Sequence, residues 1–441
     1  MLTSEPKTVS ARWALINGTW SEGVRFAIDG GIITGVSIAG PSGAVRSGAG
    51  DAAYDHAVLV PAIHNAHSHA FQWAMRGESH ALHPDRPEDD FWSWREHMYA
   101  LASTITPERA YEIAREAYGT MRRAGYASVG EFHYLHHESP AASPPWEMAL
   151  AHARAARDVG LAITLIPVAY NRGGFDKPAD GAQLRFVHAS VTAFLDSVSG
   201  LRDAAGSLGA TVAVGVHSVR AVPADWLRPI ARYAEANAIP CHIHVCEQRR
   251  ELAECRAENG CAPIELLARN DALDERSVLV HATHLEADDI SRIAAANAMV
   301  CACPSTERDL GDGLLEGLEL LRAGVAVCVG SDSHAVVDAG EELSLLEGHE
   351  RLRQERRNVL TSPSDGVLRP AQTLLRWGAE CGARANGLAS GRLVAGERFD
   401  ALALSASTPV ASEQDAWFVV ERWLFNVPRN WPIAVYVGGE A

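Results

Sequence analysis

The stretch VPAIHNAHSH, residues 60–69, indicates both the fold and the chemistry of this chain. An apolar run at 57–60 leads into a polar cluster that ends in a His-x-His pair. Alternate residues of an extended strand point the same way, so His67 and His69 present both imidazoles to one point. Two neutral imidazoles at a strand end are half of a tetrahedral metal site. The alternative is a surface strand end that is rich in histidine, and the rest of the chain must decide.

Apolar strand-like runs alternate with helical patterns through the middle of the chain. The helical patterns cover residues 107–124, 224–236 and 287–296. An alternation of this length predicts a parallel (β/α)8 barrel. The eight predicted strands are Ala57–Ile63, Ala127–Phe132, Ala162–Val168, Val212–Val216, Cys241–Val245, Ser277–Val280, Met299–Cys303 and Val325–Val329.

Short β-segments with Asn-Gly and Gly-Gly turns occupy both ends of the chain, and they predict one small β-domain built from the two termini. The predicted division is 1–58 and 389–441 for this domain and 59–388 for the barrel. The terminal strands are predicted at 13–16, 24–28, 32–36, 399–404, 419–425 and 433–437.

Composition narrows the class of protein. The net charge of −16 argues against a nucleic acid or an anionic membrane as a partner. Neither a signal peptide nor a stretch of about 20 apolar residues is visible, which favours a cytoplasmic enzyme. The eight cysteines form no paired C-x-x-C motifs, so buried free thiols are expected.

The chemistry of such barrels lies at the carboxyl ends of the strands. His244 ends the fifth predicted strand and Asp332 follows the eighth. With His67 and His69 they predict a site of three imidazoles and one carboxylate for one divalent metal ion, for which zinc is favoured. His242 shares a strand face with His244 and is the alternative ligand. Iron, manganese and cobalt are the alternative metals.

Proton-transfer groups are predicted beside this site. A divalent metal lowers the pKa of water, and Asp332 can accept the released proton. Glu247 can carry the proton to a leaving nitrogen as general acid and base. His281, one strand further round, can donate a hydrogen bond to the reacting centre. No predicted strand end carries a lysine, so a carboxylated-lysine bridge to a second metal is not expected.

The connection at 70–106, between the first strand and its helix, is too long for a simple loop. It contains Trp73, Phe91, Trp92 and Trp94. We predict that it forms a pocket wall or lid. A homodimer in which this segment crosses the interface is a further hypothesis.

The motifs HSH (67–69), H-x-x-E (244–247) and SDS (331–333), together with His281, resemble those of the mononuclear deaminases of the amidohydrolase superfamily. The resemblance spans nearly the whole chain. It implies a metal-centred (β/α)8 barrel joined to a β-sandwich from both termini.

Seven stretches are similar to those of the formimidoylglutamate deiminase family: HSHAFQ (67–72), FWSWRE (91–96), EFHYLHH (131–137), HSVRA (217–221), HIHVCEQ (242–248), HATH (281–284) and LGDG (310–313). This resemblance is narrower than the first. It implies metal-dependent hydrolysis of N-formimino-L-glutamate to N-formyl-L-glutamate and ammonia, a step of histidine degradation. It also implies that the glutamate portion is held by Gln72, Arg95, Tyr134, His217 and Arg220. Two arginines suit a dicarboxylate, because each can bind one carboxylate bidentately.

Two other functions compete with this interpretation. A related deaminase that acts on a cyclic amidine such as guanine or cytosine would use the same metal site. A neutral base does not require two carboxylate anchors, so Arg95 and Arg220 discriminate against it. A barrel that has lost catalysis and serves as a binding protein predicts a broken ligand set, whereas all four predicted ligands are present.

Overall fold

The structure is a computed structural model, and it describes residues 7–39, 52–78, 80–82, 88–137, 146–426 and 431–441, with only the backbone of residues 52–56. The strands among these residues are β1 Lys7–Ile16, β2 Thr19–Asp29, β3 Ile32–Ile38, β4 Ala52–Pro61, β5 Ile63–Ser68, β6 Tyr126–His133, β7 Ala162–Ala169, β8 Arg172–Gly174, β9 Lys177–Pro178, β10 Thr211–Val212, β11 Val214–Ser218, β12 Cys241–Val245, β13 Ser277–His281, β14 Met299–Ala302, β15 Ala326–Val329, β16 Ala401–Ser405 and β17 Ala434–Tyr436. The α-helices are α1 Phe91–Ala102, α2 Pro107–Arg123, α3 Glu147–Val159, α4 Val191–Ala205, α5 Leu227–Asn237, α6 Arg249–Asn259, α7 Pro263–Arg269, α8 Asp289–Ala295, α9 Pro304–Leu310, α10 Gly317–Arg322, α11 Ala339–Gln354, α12 Pro370–Arg376, α13 Gly382–Ala385 and α14 Glu413–Phe425.

The central element is a parallel barrel with the strand order β5-β6-β7-β11-β12-β13-β14-β15. Its strands are buried on both faces, because one face lies in the barrel interior and the other under the helices. The predicted (β/α)8 fold is confirmed. The helix predicted at 107–124 is α2, and the hydroxyl of Thr106 caps it by accepting from the Arg109 amide at 3.2 Å.

The barrel closes where its first strand meets the residues that follow its last strand. Ser68 and Asp332 form a parallel bridge there. The Asp332 amide donates to the His67 carbonyl at 3.0 Å, and the His69 amide donates to the Asp332 carbonyl at 3.1 Å. Gly330 has to be glycine at this seam, since a Cβ would lie 2.6 Å from the His67 Cβ. We call this contact the closing seam.

The second element is a six-stranded sheet in the order β17-β16-β4-β1-β2-β3, so both ends of the chain contribute to it. The Asn17-Gly18 and Gly30-Gly31 turns of its hairpins have the positive φ angles that such turns require. One face forms a small core around Phe26 and Phe399, and the other packs on the barrel through residues such as Trp13. The predicted small β-domain from both termini is confirmed, whereas its bounds at 58 and 388 stay a prediction.

Two of the predicted strands are wrong. The apolar run at 57–63 is not one barrel strand: β4 belongs to the terminal sheet as far as Pro61, and the barrel strand begins at Ile63. The run at 419–425 is the end of helix α14, whose buried residues recur with helical spacing and whose first turn is capped by Ser412. Adjacent β-branched valines at 419 and 420 gave that run the composition of a strand.

No helix in the described ranges combines the length and the apolar character that crossing a membrane requires.

Candidate metal centre and active site

Three imidazoles and one carboxylate converge inside the carboxyl end of the barrel. His67 Nε2 lies 3.2 Å from His69 Nε2 and 3.0 Å from His244 Nε2. Asp332 Oδ1 lies 3.3 Å from His67 Nε2 and 3.2 Å from His69 Nε2. Donor atoms held about 2.0 Å from a tetrahedral ion are about 3.3 Å from one another. These four residues, the ligand cluster, therefore have the spacing of a metal site.

The protonation states of the ligand cluster also suit a cation. Burial lowers the pKa of His67 to about 3, and it lowers the pKa of His244 well below its usual range. Burial acts to raise the pKa of Asp332, but hydrogen bonds with His67 and His69 bring it well below its usual range. Neutral imidazoles and an ionised carboxylate are the forms that bind metal.

Neighbouring groups fix the orientation of the ligands. His69 Nδ1 lies 3.0 Å from the Phe132 carbonyl, and donation to that oxygen leaves Nε2 free to bind a metal. His242, the alternative ligand, does not join the ligand cluster, because its Nε2 lies 2.8 Å from the Ala385 carbonyl.

A buried carboxylate anchors the strand end behind the histidine pair. Glu131 accepts hydrogen bonds from Ser68 Oγ at 2.7 Å, from the Ala70 amide at 2.8 Å and from the Tyr118 hydroxyl at 2.9 Å. The position of Glu131 at the end of β6 is visible in the sequence. Its role is not visible there, because its partners come from three different elements.

The backbone is strained where the strands end in the site. His281, Asp332 and His334 have φ angles of 72°, 45° and 64°, in the left-handed region that residues other than glycine rarely adopt. Such conformations concentrate at functional sites, where the surrounding structure enforces them.

The predicted proton-transfer residues lie beside the ligand cluster. His281 Nε2 is 3.5 Å from Glu247 Oε1 and 3.9 Å from Asp332 Oδ2. His281 Nδ1 is 3.3 Å from Glu307 Oε1, which orients the ring. Burial raises the pKa of Glu247. Burial acts to lower the pKa of His281, but Glu247, Glu307 and Asp332 raise it to about 10.

One cavity joins these groups to the predicted substrate contacts. It brings together all five predicted contacts, three members of the ligand cluster and both proton-transfer residues. Phe91, Trp94 and Arg95 reach it from α1, so the predicted pocket wall within 70–106 is confirmed. The lining residues are His69, Gln72, Phe91, Trp94, Arg95, Met98, Tyr134, His217, Arg220, His244, Glu247, His281, Leu310 and Asp332.

The two arginines share an aromatic support. The guanidinium carbons of Arg95 and Arg220 lie 5.6 and 5.4 Å from the centre of the Trp92 ring. Burial acts to lower the pKa of Arg95, but the hydroxyls of Tyr99 and Tyr170 outweigh it and raise the pKa. Within the described part of the chain neither guanidinium has a carboxylate within 4 Å. Both are therefore available to a carboxylate ligand.

The neutral contacts complete the same wall. Gln72 donates to the Tyr134 hydroxyl at 3.1 Å, and its own Oε1 is buried with no hydrogen-bond partner in the described ranges. The His217 ring lies 5.3 Å from the Tyr134 ring and 5.2 Å from the His244 ring. Burial lowers the pKa of His217 well below its usual range, and Arg220 adds to this effect.

Comparison with known proteins places the chain in a family. The family model described as "Amidohydrolase family" matches residues 58–441. The chain belongs to the amidohydrolase family. The curated formimidoylglutamate deiminase of Pseudomonas aeruginosa is 36% identical to this amidohydrolase over 422 residues, which cover 95% of this chain and 90% of that protein.

Solved structures agree with the fold of this amidohydrolase. A crystal structure of an amidohydrolase from Brucella melitensis has a TM-score of 0.88 and 35% identity, and the match covers 98% of this chain and 94% of that one. An adenosine deaminase from Xanthomonas campestris with bound zinc has a TM-score of 0.79 at 20% identity, with 98% and 92% covered. The amidohydrolase family is metal-dependent, and the donors of the ligand cluster fit a divalent ion.

Proposed function

We propose that this amidohydrolase hydrolyses N-formimino-L-glutamate to N-formyl-L-glutamate and ammonia. The observation that carries the proposal is the pair Arg95 and Arg220, which face the cavity of the ligand cluster without a carboxylate partner in the described ranges. A guanine or cytosine deaminase has no use for two such groups. The Pseudomonas aeruginosa relative, whose name gives the same activity, adds support.

In this proposal each arginine binds one carboxylate of the substrate, because the guanidinium fork matches a carboxylate bidentately. Gln72, Tyr134 and His217 complete the contacts with the glutamate portion. This arrangement turns the formimino group towards the ligand cluster. The formimino group is an amidine and carries a positive charge, which the carboxylates of Glu247 and Asp332 complement.

We propose that His67, His69, His244 and Asp332 hold one zinc ion, since three imidazoles and a carboxylate suit that metal. The ion, when bound, acts as a Lewis acid and lowers the pKa of water towards neutrality. Asp332 accepts a proton from the attacking water, and Glu247 transfers it to the terminal formimino nitrogen. His281 donates a hydrogen bond to the oxygen that adds to the formimino carbon. The bond from that carbon to the terminal nitrogen then breaks, which leaves the formyl product and ammonia.

The decisive test is ammonia release from formiminoglutamate, formiminoaspartate, guanine and cytosine under identical conditions. We expect the fastest release from formiminoglutamate and slower release from formiminoaspartate, whose carboxylates are one methylene closer together. Release from either base should stay at background. Faster release from guanine or cytosine than from formiminoglutamate would overturn the proposal.

Two further points belong to the same proposal. We infer a homodimer, which sedimentation of the purified protein would test, and a cytoplasmic location, which fractionation of the source cells would test. The substrate is a small dicarboxylate in this proposal, with neither nucleic acid nor membrane as a partner.

A further inference from the structure

A second group of potential ligands lies beside the ligand cluster. One donor atom each of Glu247, His281 and Asp312 lies within 4.8 Å of the other two, and all three side chains are buried. Glu247 and His281 follow β12 and end β13, whereas Asp312 comes just after helix α9. None of them belongs to the ligand cluster. We call these residues the acidic trio.

Asp312 has a free oxygen in this buried position. Its side chain is only 4% exposed. Oδ1 accepts a hydrogen bond from Gln248 Nε2, and Oδ2 has no hydrogen-bond partner in the described ranges. Burial and the neighbouring Glu247 raise the pKa of Asp312 to about 9. A buried carboxyl group among other carboxylates, with one free oxygen, is stabilised by a cation.

His281 is oriented as a metal-binding histidine is. Its Nδ1 lies 3.3 Å from Glu307 Oε1, and donation to that carboxylate leaves Nε2 on the side of Glu247. A carboxylate that accepts from the second ring nitrogen is the usual support of a ligating imidazole. His281 Nε2 and Glu247 Oε1 are 3.5 Å apart, close to the spacing of about 3.3 Å between two ligands of one tetrahedral zinc ion.

We propose that the acidic trio is a second divalent-metal site, which takes zinc in preference to calcium or magnesium and inhibits the enzyme when filled. One imidazole and two carboxylates leave a fourth position for water, which suits zinc, while calcium and magnesium prefer oxygen ligands alone. An ion at this site engages Glu247 and His281. Neither residue is then free to exchange a proton or a hydrogen bond with a substrate in the cavity.

The proposal adds a regulatory site to the proposed function and is tested by counting metal, which does not depend on the identity of the substrate. Enzyme that holds one zinc is titrated with zinc chloride, and bound metal is measured by calorimetry and by mass spectrometry. The variant is Asp312→Asn. Its control is Asp309→Asn, the same change three residues earlier at a surface residue that lies 4.0 Å from His80 and outside the acidic trio.

We expect a second, weaker zinc equivalent in the wild type and in Asp309→Asn, with activity falling as it binds. Asp312→Asn should keep the first equivalent and bind the second at least tenfold more weakly, with the same tenfold shift in inhibition. A single equivalent in the wild type, or equal second binding by Asp312→Asn, would overturn the proposal. If Asp312→Asn does not fold, wild-type crystals soaked in zinc decide the question, since anomalous density must appear between the three side chains.

Discussion

Replacement of Arg220 by methionine tests whether this arginine binds the substrate or stabilises the fold. The Arg220 side chain is buried, its Nε has no hydrogen-bond partner in the described ranges, and its guanidinium stacks on Trp92. A buried charge without a carboxylate partner costs desolvation free energy that no ion pair repays. The charge keeps only its contact with Trp92 and a longer-range attraction to Glu247 and Glu251, and Arg220→Met keeps much of the side-chain volume.

The expected effects follow from the contacts that the substrate would make. Hydrogen bonds to a charged group are worth about 1.5–3 kcal/mol each. A net loss of about 3 kcal/mol corresponds to a fall of about 100-fold in affinity. We expect the KM for formiminoglutamate to rise about 100-fold in Arg220→Met. The free energy of unfolding should stay unchanged or rise by about 1 kcal/mol.

Arg172 provides the matched control. It forms an ion pair with Glu258 at 2.8 Å and donates to the carbonyls of Val219 and Arg220 at 3.0 Å each. Arg172→Met should lower the free energy of unfolding by about 3 kcal/mol, because it breaks a largely buried pair. Kinetics of ammonia release and urea unfolding measure both variants. An unchanged KM in Arg220→Met, or destabilisation as large as in Arg172→Met, would refute the assigned role.

Three further predictions test other parts of the site and the fold. Glu247→Gln should lower kcat about 100-fold or more while the zinc equivalent of the ligand cluster stays bound, as ammonia release and metal analysis would show. Unimpaired turnover would remove Glu247 as the proton carrier. Chelation should abolish ammonia release and one equivalent of added zinc should restore it, whereas full activity without metal would contradict a metal-dependent mechanism. Burial lowers the pKa of His188 from 6.5 to about 4, so its stabilising contribution is complete above pH 6.5 and is lost as the pH falls towards 4. Between pH 7.5 and 5 the free energy of unfolding should fall by about 2 kcal/mol more in the wild type than in His188→Phe, since each pKa unit is worth about 1.4 kcal/mol. Urea unfolding measures both proteins, and an equal pH dependence in the two would contradict this.

The sequence predicts the ligands better than the residues that support them. His67, His69 and Asp332 are recognisable because their side chains are specific for metal chemistry and stand at predicted strand ends. Glu131 and Asp312 are not recognisable in this way, since each acts through partners that come together only when the barrel is assembled. The sequence shows that a carboxylate can accept a hydrogen bond, but it does not show which residue donates that bond.

The two wrong strands have separate physical causes. The apolar run across Pro61 continues unbroken from the terminal sheet into the barrel. Because both parts are buried, the sequence does not show where the neighbouring strand changes. In α14, tertiary packing of Trp417 and Trp423 outweighs the local strand preference of the valines between them. Neither cause can be detected from local composition alone.

The closing seam also determines when the ligand cluster can form. Asn65 and Ser331 bond across it at 2.7 Å although 266 residues separate them, so His67 and Asp332 meet only after the last barrel strand has docked. A metal bound by both residues links the first barrel strand to the segment after the last one. Its binding free energy therefore stabilises the closed barrel. Metal loss should thus loosen the barrel first between β5 and β15, and hydrogen exchange of the His69 and Asp332 amides would report that opening directly.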